Sequence, residues 1–264
     1  MKLALNCPEC MLRNATPSYE FQLVSIREDG LYISRCSEGH KFLTNAQLLK
    51  YEVMLDCAFL ALRDGYPREA ITNMAASLER FYEFYIRLVC MKFTIEEAVF
   101  LKSWAHMASS SERQHGAFIA LHMINSSSIE ISVLDNSKPN IPNISKTNTK
   151  NWKEFRNNVI HKGYIPTYEE AYLYGKLVFD YLKNFHIFLR ENQLDDFNIT
   201  RLYYLSQKIH NVDNLPITNL GIVSILVMSN DISFNFEDTL KKFYEYHDYI
   251  KDLPKLQFTN TSLK

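Results

Sequence analysis

Glycine and proline are scarce in this chain, at seven and eight of 264 residues. That scarcity excludes collagen-like and linker-like chains and disfavours a turn-dense all-β fold. Net charge is nearly absent: 29 basic residues face 30 acidic ones, and the sequence pI is about 6.7. No global attraction to nucleic acid or to an anionic membrane follows, so any such contact needs a local patch. Long apolar runs are missing too. Met1–Cys7 is too short in apolar residues for a secretory signal, which needs about 7–15 of them. Leu220–Met228 is far shorter than the about 20 residues that span a membrane. Five cysteines, an odd number, do not suggest a disulfide framework. These absences predict a soluble, cytoplasmic protein with no membrane partner. The apolar content is ample, at 47% with 13% aromatic, which is enough for a sizeable core and excludes global disorder.

The chain changes character along its length, and the pattern predicts a mainly α protein with a small N-terminal β-hairpin module. Residues 1–43 hold three cysteines and a hairpin signal, with Phe21–Ile26 and Leu31–Ser34 flanking Glu28-Asp29-Gly30. Asp and Gly tolerate the positive φ of a tight turn, so the two runs are expected to pair. From Asn45 the period shifts toward 3.6, with Asn45 as expected N-cap of a helix through Leu62, closed by Gly65. Ile71, Met74, Ala75, Leu78, Phe81, Tyr82, Tyr85, Leu88 and Val89 fall on one helical stripe, and Pro67 suits its first turn. Shorter helices are expected over 95–108 and 112–124, then a Ser-, Asn- and Pro-rich loop over 125–150. A second stripe runs through Ala171, Tyr174, Gly175, Val178, Tyr181, Leu182, Phe185, Phe188 and Leu189. Residues 193–264 read as a mostly helical extension, with helices near 198–210 and 236–250 and an apolar segment at 220–228. The expected units are therefore 1–43, 44–192 and 193–264.

Cys7-Pro8-Glu9-Cys10 and Cys36-Ser37-Glu38-Gly39-His40 form the first chemical constellation. A two-residue gap lets one turn present two thiolates to one metal, and four tetrahedral Cys/His ligands suit a structural zinc. Cys7-Pro-Glu-Cys10 resembles the knuckle of a zinc ribbon. The second half departs from the commonest pattern, since three residues separate Cys36 from His40 where two usually separate a pair of cysteines. Cys7, Cys10, Cys36 and His40 are the expected zinc ligands, and four protein ligands leave no open position for catalysis. The plainer alternative is a set of reduced thiols with His40 on a turn. Cys57 and Cys90 lie in apolar helical runs and read as small core residues.

The second constellation is Trp152-Lys153-Glu154-Phe155-Arg156-Asn157-Asn158-Val159-Ile160-His161-Lys162-Gly163. Arg156 offers a planar donor fork suited to phosphate, His161 can act as general base or acid, and Asn157 can orient either. Lys146, Lys150, Lys153, Arg156 and Lys162 oppose only Glu154 nearby, an island on which a polyanion can rest. Five positions apart on an ideal helix, Arg156 and His161 do not share a face. They converge where the helix ends or distorts, or where a second subunit completes the site. No Gly-rich phosphate loop, nucleophile elbow or HExxH pair is present.

Arg156-Asn157-x-x-x-His161, then Gly163 and the helix opening at Thr167-Tyr168-Glu169-Glu170, resembles the HEPN (higher eukaryotes and prokaryotes nucleotide-binding) superfamily. The run Asp64–Ala70 leading to Ala75-Ala76-Ser77-Leu78-Glu79 resembles its early helix pair. The likeness covers about residues 45–192. It implies a helical bundle that often dimerises, and a metal-independent endoribonuclease of the kind found in toxin–antitoxin and phage-defence systems. RNA, a homodimer partner and an antitoxin or defence-system partner are thus expected. On that resemblance Arg156, Asn157 and His161 are catalytic, Lys153 and Lys162 contact substrate, Glu79 is a weaker candidate, and catalysis needs no cofactor. Two other readings stay open. One is a non-catalytic interaction module whose ribbon and helical body bind a protein or nucleic-acid partner, with Arg156 paired to Glu154 and His161 capping a helix. The other is a DNA-binding regulator acting through the ribbon.

Overall fold

The computed structural model describes residues 1–14, 21–126, 134, 149–192, 215, 217–221, 224–228 and 235–252. These residues make a mainly helical body carrying two small sheets. The strands are β1 (Lys2–Leu5), β2 (Gln22–Ser25), β3 (Leu31–Arg35), β4 (Lys41–Gln47) and β5 (Ile217–Gly221). The helices are α1 (Pro8–Asn14), α2 (Lys50–Arg63), α3 (Pro67–Lys92), α4 (Glu97–Ala105), α5 (Ser111–Asn125), α6 (Trp152–His161), α7 (Tyr168–Asn192), α8 (Ile225–Met228) and α9 (Phe236–Asp252). Among the described residues no helix is long and apolar enough to cross a membrane.

Helix α3 lies at the centre. Every residue of its expected stripe is buried, and Pro67 occupies its first turn. It packs against α2, α5, α6 and α7 through an aromatic core in which Phe81 meets Tyr51, Phe118 and Phe185 at centroid separations of 5.5, 6.1 and 5.5 Å. Such offset and edge contacts add to the area term of burial. The α7 stripe is likewise buried apart from the half-buried Phe188. Gly175 is the close approach of α7 to α2 and α3: a Cβ there would meet Met74 Cε at 2.6 Å and Phe59 Cε1 at 3.0 Å. At the start of α7, Thr167 and Glu170 form a capping box. The Thr167 hydroxyl accepts from the Glu170 amide at 3.2 Å, and the Glu170 carboxylate accepts from the Thr167 amide at 2.7 Å.

The β-structure departs from expectation in two ways. Asp29-Gly30 does turn the chain, with Gly30 at φ 63° and the Asp29 carboxylate accepting from the Leu31 amide. The strands on either side nevertheless join different sheets. β2 pairs antiparallel with β1, and β3 pairs antiparallel with β4. The Tyr32 hydroxyl spans the divergence, accepting from the Arg27 amide at 2.9 Å and donating to the Ser25 carbonyl at 3.2 Å. The hairpin of the module is thus β3–β4. Asn45, expected to cap α2, instead lies buried within β4, and α2 begins at Lys50 with Leu49 at its N-cap. β4 runs across residues 43 and 44 and pairs in parallel with β5, with Leu43 opposite Ile217. The helix expected over 198–210 and most of the loop over 125–150 lie outside the described residues.

The C-terminal elements are tied to the body by more than β5. Fully buried Asp56 of α2 accepts from the Ile225 amide at 2.9 Å, capping α8. Burial pushes this carboxyl well above the usual range, and Glu52 one turn earlier adds to the effect. On α9, Phe243 and Phe236 enter the core and His247 is buried.

Two predictions follow from this packing. Gly175→Val should destabilise by about 1–3 kcal/mol through overpacking, and adding Met74→Ala should recover part of that in denaturant unfolding. An unchanged midpoint would mean that the α3–α7 contact is looser than described. Burial, aided by Arg63, pushes His247 down to about 4. Its depressed pKa contributes stability that is present above about 6.5, the ordinary value, and is lost as pH falls toward about 4. The melting temperature should fall more steeply over that window in the native chain than in His247→Leu, and equal slopes would contradict it.

Candidate functional site

The two constellations occupy separate places. In the first, β1 delivers the chain to Cys7, which precedes Pro8 at the start of α1, and the Met11 amide donates to the Cys7 carbonyl at 3.1 Å. Three positions apart on one helical turn, Cys7 and Cys10 face the same side. The second pair sits in the β3–β4 turn. There the Cys36 amide donates to the His40 carbonyl at 3.1 Å and the Gly39 amide to the Cys36 carbonyl at 3.0 Å. Gly39 at φ 84° supplies the left-handed residue this turn requires.

These two turns bring Cys7, Cys10, Cys36 and His40 together, with all four ligand atoms within 4.8 Å of one another. Cys10 Sγ lies 3.7 Å from Cys36 Sγ. His40 Nδ1 lies 3.8, 3.3 and 3.4 Å from the sulfurs of Cys7, Cys10 and Cys36. A tetrahedral ion with metal–sulfur bonds of about 2.3 Å and a metal–nitrogen bond of about 2.0–2.1 Å requires separations of about 3.8 Å between sulfurs and about 3.6 Å from sulfur to nitrogen. The observed spacings scatter around those values, so this buried group fits a metal ion. Burial and the neighbouring Cys36 and Cys7 thiols push Cys10 up to about 12, so a bound cation is what would hold it as thiolate at neutral pH. Sequence reasoning passed over Glu9. Its Oε1 lies 3.5 Å from His40 Nε2, the ring nitrogen that faces away from the cysteines. A carboxylate there fixes the ring and its tautomer; its position between Cys7 and Cys10 was the available signal.

The second constellation lies on α6. Asn151 caps this helix, accepting from the Glu154 amide at 2.9 Å, and the Glu154 carboxylate accepts from the Lys150 amide at 2.7 Å. Trp152, Phe155 and Val159 face the core. The helix ends at His161: the Lys162 and Tyr164 amides both donate to the Asn158 carbonyl, and Gly163 turns away at φ 73°. Arg156, Asn157 and His161 line one open groove of about 460 Å³ together with Glu79 of α3 and with Glu112 and Gln114 of α5. Arg156 is 7% exposed, and its Nε and Nη2 donate to Asn157 Oδ1 at 3.4 and 3.3 Å. His161 is exposed. Lys153 lines an adjoining recess shared with Arg156, Glu79 and Glu112. Lys162, at the C-cap of α6, is outside the lining of both hollows.

The electrostatics of the groove are mixed. Lys153 Nζ lies 3.9 Å from Glu112 Oε1. Glu112 is held below the usual carboxylate range by its own backbone amide at the start of α5, then by Lys153, with Arg156 contributing. The basic island read from the sequence therefore faces two carboxylates from other elements, Glu79 and Glu112, which a count along one segment does not register. Comparison with known proteins adds no relative: no family model, curated protein or solved structure matches the chain significantly.

The metal group generates a direct test. Titration with Co(II) should saturate at one ion per chain with thiolate charge-transfer absorption, and Cys36→Ala should abolish it. Glu9→Gln should keep the stoichiometry but weaken affinity by about 10–100-fold. An unaltered affinity would show that Glu9 does not support His40.

Proposed function

We propose that this chain is a metal-independent endoribonuclease with a HEPN-like helical body, and that Cys7, Cys10, Cys36 and His40 hold a structural zinc in a ribbon-like module. The observation that supports the nuclease reading most is the shared groove, which collects an exposed histidine, a buried guanidinium and an orienting amide from one short helix. Zinc is favoured for the metal by a closed set of three thiolates and one imidazole.

In this reading His161 takes the proton from the ribose 2′-OH, whose oxygen attacks the adjacent phosphorus. The bond to the 5′-oxygen breaks, and that oxygen takes a proton from water, to which His161 returns the one it accepted, leaving a 2′,3′-cyclic phosphate and a 5′-hydroxyl. Arg156 donates to the phosphate oxygens as charge builds on them. Asn157 holds the guanidinium in place, and Lys153 meets a neighbouring phosphate. DNA lacks the nucleophile and is not a substrate. A homodimer would bring two such grooves together, and an antitoxin or defence-system partner fits the same reading. The zinc supplies rigidity to the module and takes no part in the reaction.

One observation favours the second reading, a non-catalytic interaction module: Lys153 is already close to Glu112, and Glu79 stands in the groove, so positive potential there is reduced. Cleavage assays separate the two. With EDTA at a concentration that leaves the bound zinc in place, RNA should still be cut to cyclic-phosphate ends. Arg156→Ala and His161→Ala should each slow cleavage by about 10²-fold or more. Arg156→Lys should also be impaired, because a point charge does not reproduce the fork. Intact RNA under all conditions, or Ala variants as fast as the native chain, would leave the interaction module as the reading.

A further inference from the structure

A second concavity lies where the β2–β3 turn meets the first turn of α2 and the middle of α3. Its volume is about 430 Å³, within the range of about 300–1,000 Å³ usual for small-molecule sites. Its floor is apolar, formed by Leu49, Tyr51, Met54 and Phe84 among others, and its rim carries Arg27, Lys50 and Arg80 with Glu28 and Glu83, while Arg87 lines it as a buried residue.

Those charges are paired. Arg27 meets Asp29 at 2.7 Å, Lys50 meets Glu28 at 2.5 Å, Arg80 meets Glu83 at 2.6 Å and Arg87 meets Glu97 at 2.8 Å. Arg87 is further fixed against the Phe100 ring, 4.5 Å from its centroid. A rim so balanced is a poor trap for a bare anion. It presents donors and acceptors held in place above an apolar floor. A nucleobase has that complement: a flat face for apolar contact, and an edge where guanidinium groups donate to ring acceptors and carboxylates accept from amino groups.

The place of this cavity along α3 connects it with the groove. Thr72, Ala76 and Glu79 line the groove, and Arg80, Glu83 and Arg87 line the cavity. At 3.6 residues per turn these six positions form one stripe. Arg80 Nη2 also donates to Gln114 Oε1 at 3.5 Å, and Gln114 belongs to the groove. From Ala76 to Arg87 the helix advances about 16 Å, so the two hollows are successive stations on one face.

We propose that this cavity receives a base of the RNA strand whose scissile phosphate lies at Arg156, and that it thereby sets a sequence preference at a distance from the cut. The inference rests on the endoribonuclease reading for the strand's identity, and its test is arranged to fail separately. Met54→Trp should fill the cavity, while Glu83→Gln leaves its shape and alters one acceptor. The measurements use the full-length chain. Binding of fluorescent single-stranded RNA of mixed sequence to His161→Ala should weaken about tenfold or more when Met54→Trp is added, while binding of a dinucleotide, too short to reach both hollows, should not change. In cleavage of a randomised RNA pool by otherwise native protein, Glu83→Gln should shift base preference at one position away from the cut, with the cut chemistry unaltered.

If RNA is cut and both variants keep the native preference and affinity, the cavity inference falls and the nuclease reading stands. If no RNA is cut yet RNA binding to His161→Ala is lost on filling the cavity, the nuclease reading falls and the base site stands. Equal RNA binding with and without Met54→Trp, together with an unshifted preference, overturns the inference. Free nucleoside monophosphates serve as a further arm. If they bind as tightly as RNA and are displaced by Met54→Trp, the site takes a free nucleotide, and the assignment to the strand is wrong.

Discussion

Helix α3 is the constraint to which the rest of the body conforms. Fourteen of its 26 residues are buried, too many for one neighbour to cover, so α2, α5, α6 and α7 must all reach it. Its aromatic residues set the spacing of those partners. Phe81 alone fixes Tyr51 of α2, Phe118 of α5 and Phe185 of α7 around a common point. One strip of α3, through Thr72, Ala76, Glu79, Arg80 and Glu83, borders both concavities. Because α6 lies beside α3 while its Trp152 and Phe155 meet Tyr174 of α7, the Arg156 guanidinium is carried to the edge of that strip, and ending the helix at His161 leaves the imidazole exposed.

The N-terminal module is built on a different balance. Its apolar clusters are small: Leu3, Leu5, Val24, Tyr32 and Ala46 in one, and Phe42 beside the three cysteines in the other. Burial on that scale does little to offset the conformational entropy of ordering the chain. Four ligand atoms at tetrahedral spacing therefore bear on stability as well as chemistry, since a metal binding the folded but not the unfolded module adds its binding free energy to folding. The β3–β4 hairpin and the β1–α1 turn meet at this group.

Long periodic segments were legible in the sequence because burial on one face leaves a 3.6-residue rhythm. The stripes of α3 and α7 and the helix expected over 236–250 followed from local pattern, and the convergence of Cys7, Cys10, Cys36 and His40 followed from ligand type and spacing, although the hairpin expected between them is not the one that forms. What escaped was non-local. β4 reads Lys-Phe-Leu-Thr-Asn-Ala-Gln, with five consecutive buried residues, so the alternation that marks a half-buried strand is missing and Asn45 resembles a helix cap. Asp29-Gly30 fixes a turn but not the partners of the strands beside it. In the groove, Arg156, Asn157 and His161 were visible as a motif. Glu112 was not, because its relevance depends on α5 lying beside α6, a packing fact without a sequence signature.

The parallel pairing of β4 with β5 has a consequence for how the protein is made. Leu43 must wait for Ile217, 174 positions later, so on the ribosome β4 has only β3 beside it until that stretch has emerged. During that interval an apolar strand edge and the surface of α2 that receives α8 and α9 stand open. Closing such a long loop is slow compared with forming helices, and an unpaired edge is a site of mispairing between chains. The C-terminal segment thus acts as a late clasp. Truncation ahead of Ile217 would leave that edge exposed and would also remove α8 and α9, whose Ile225, Phe236 and Phe243 belong to the core, so solubility and the stability of the helical body would fall together.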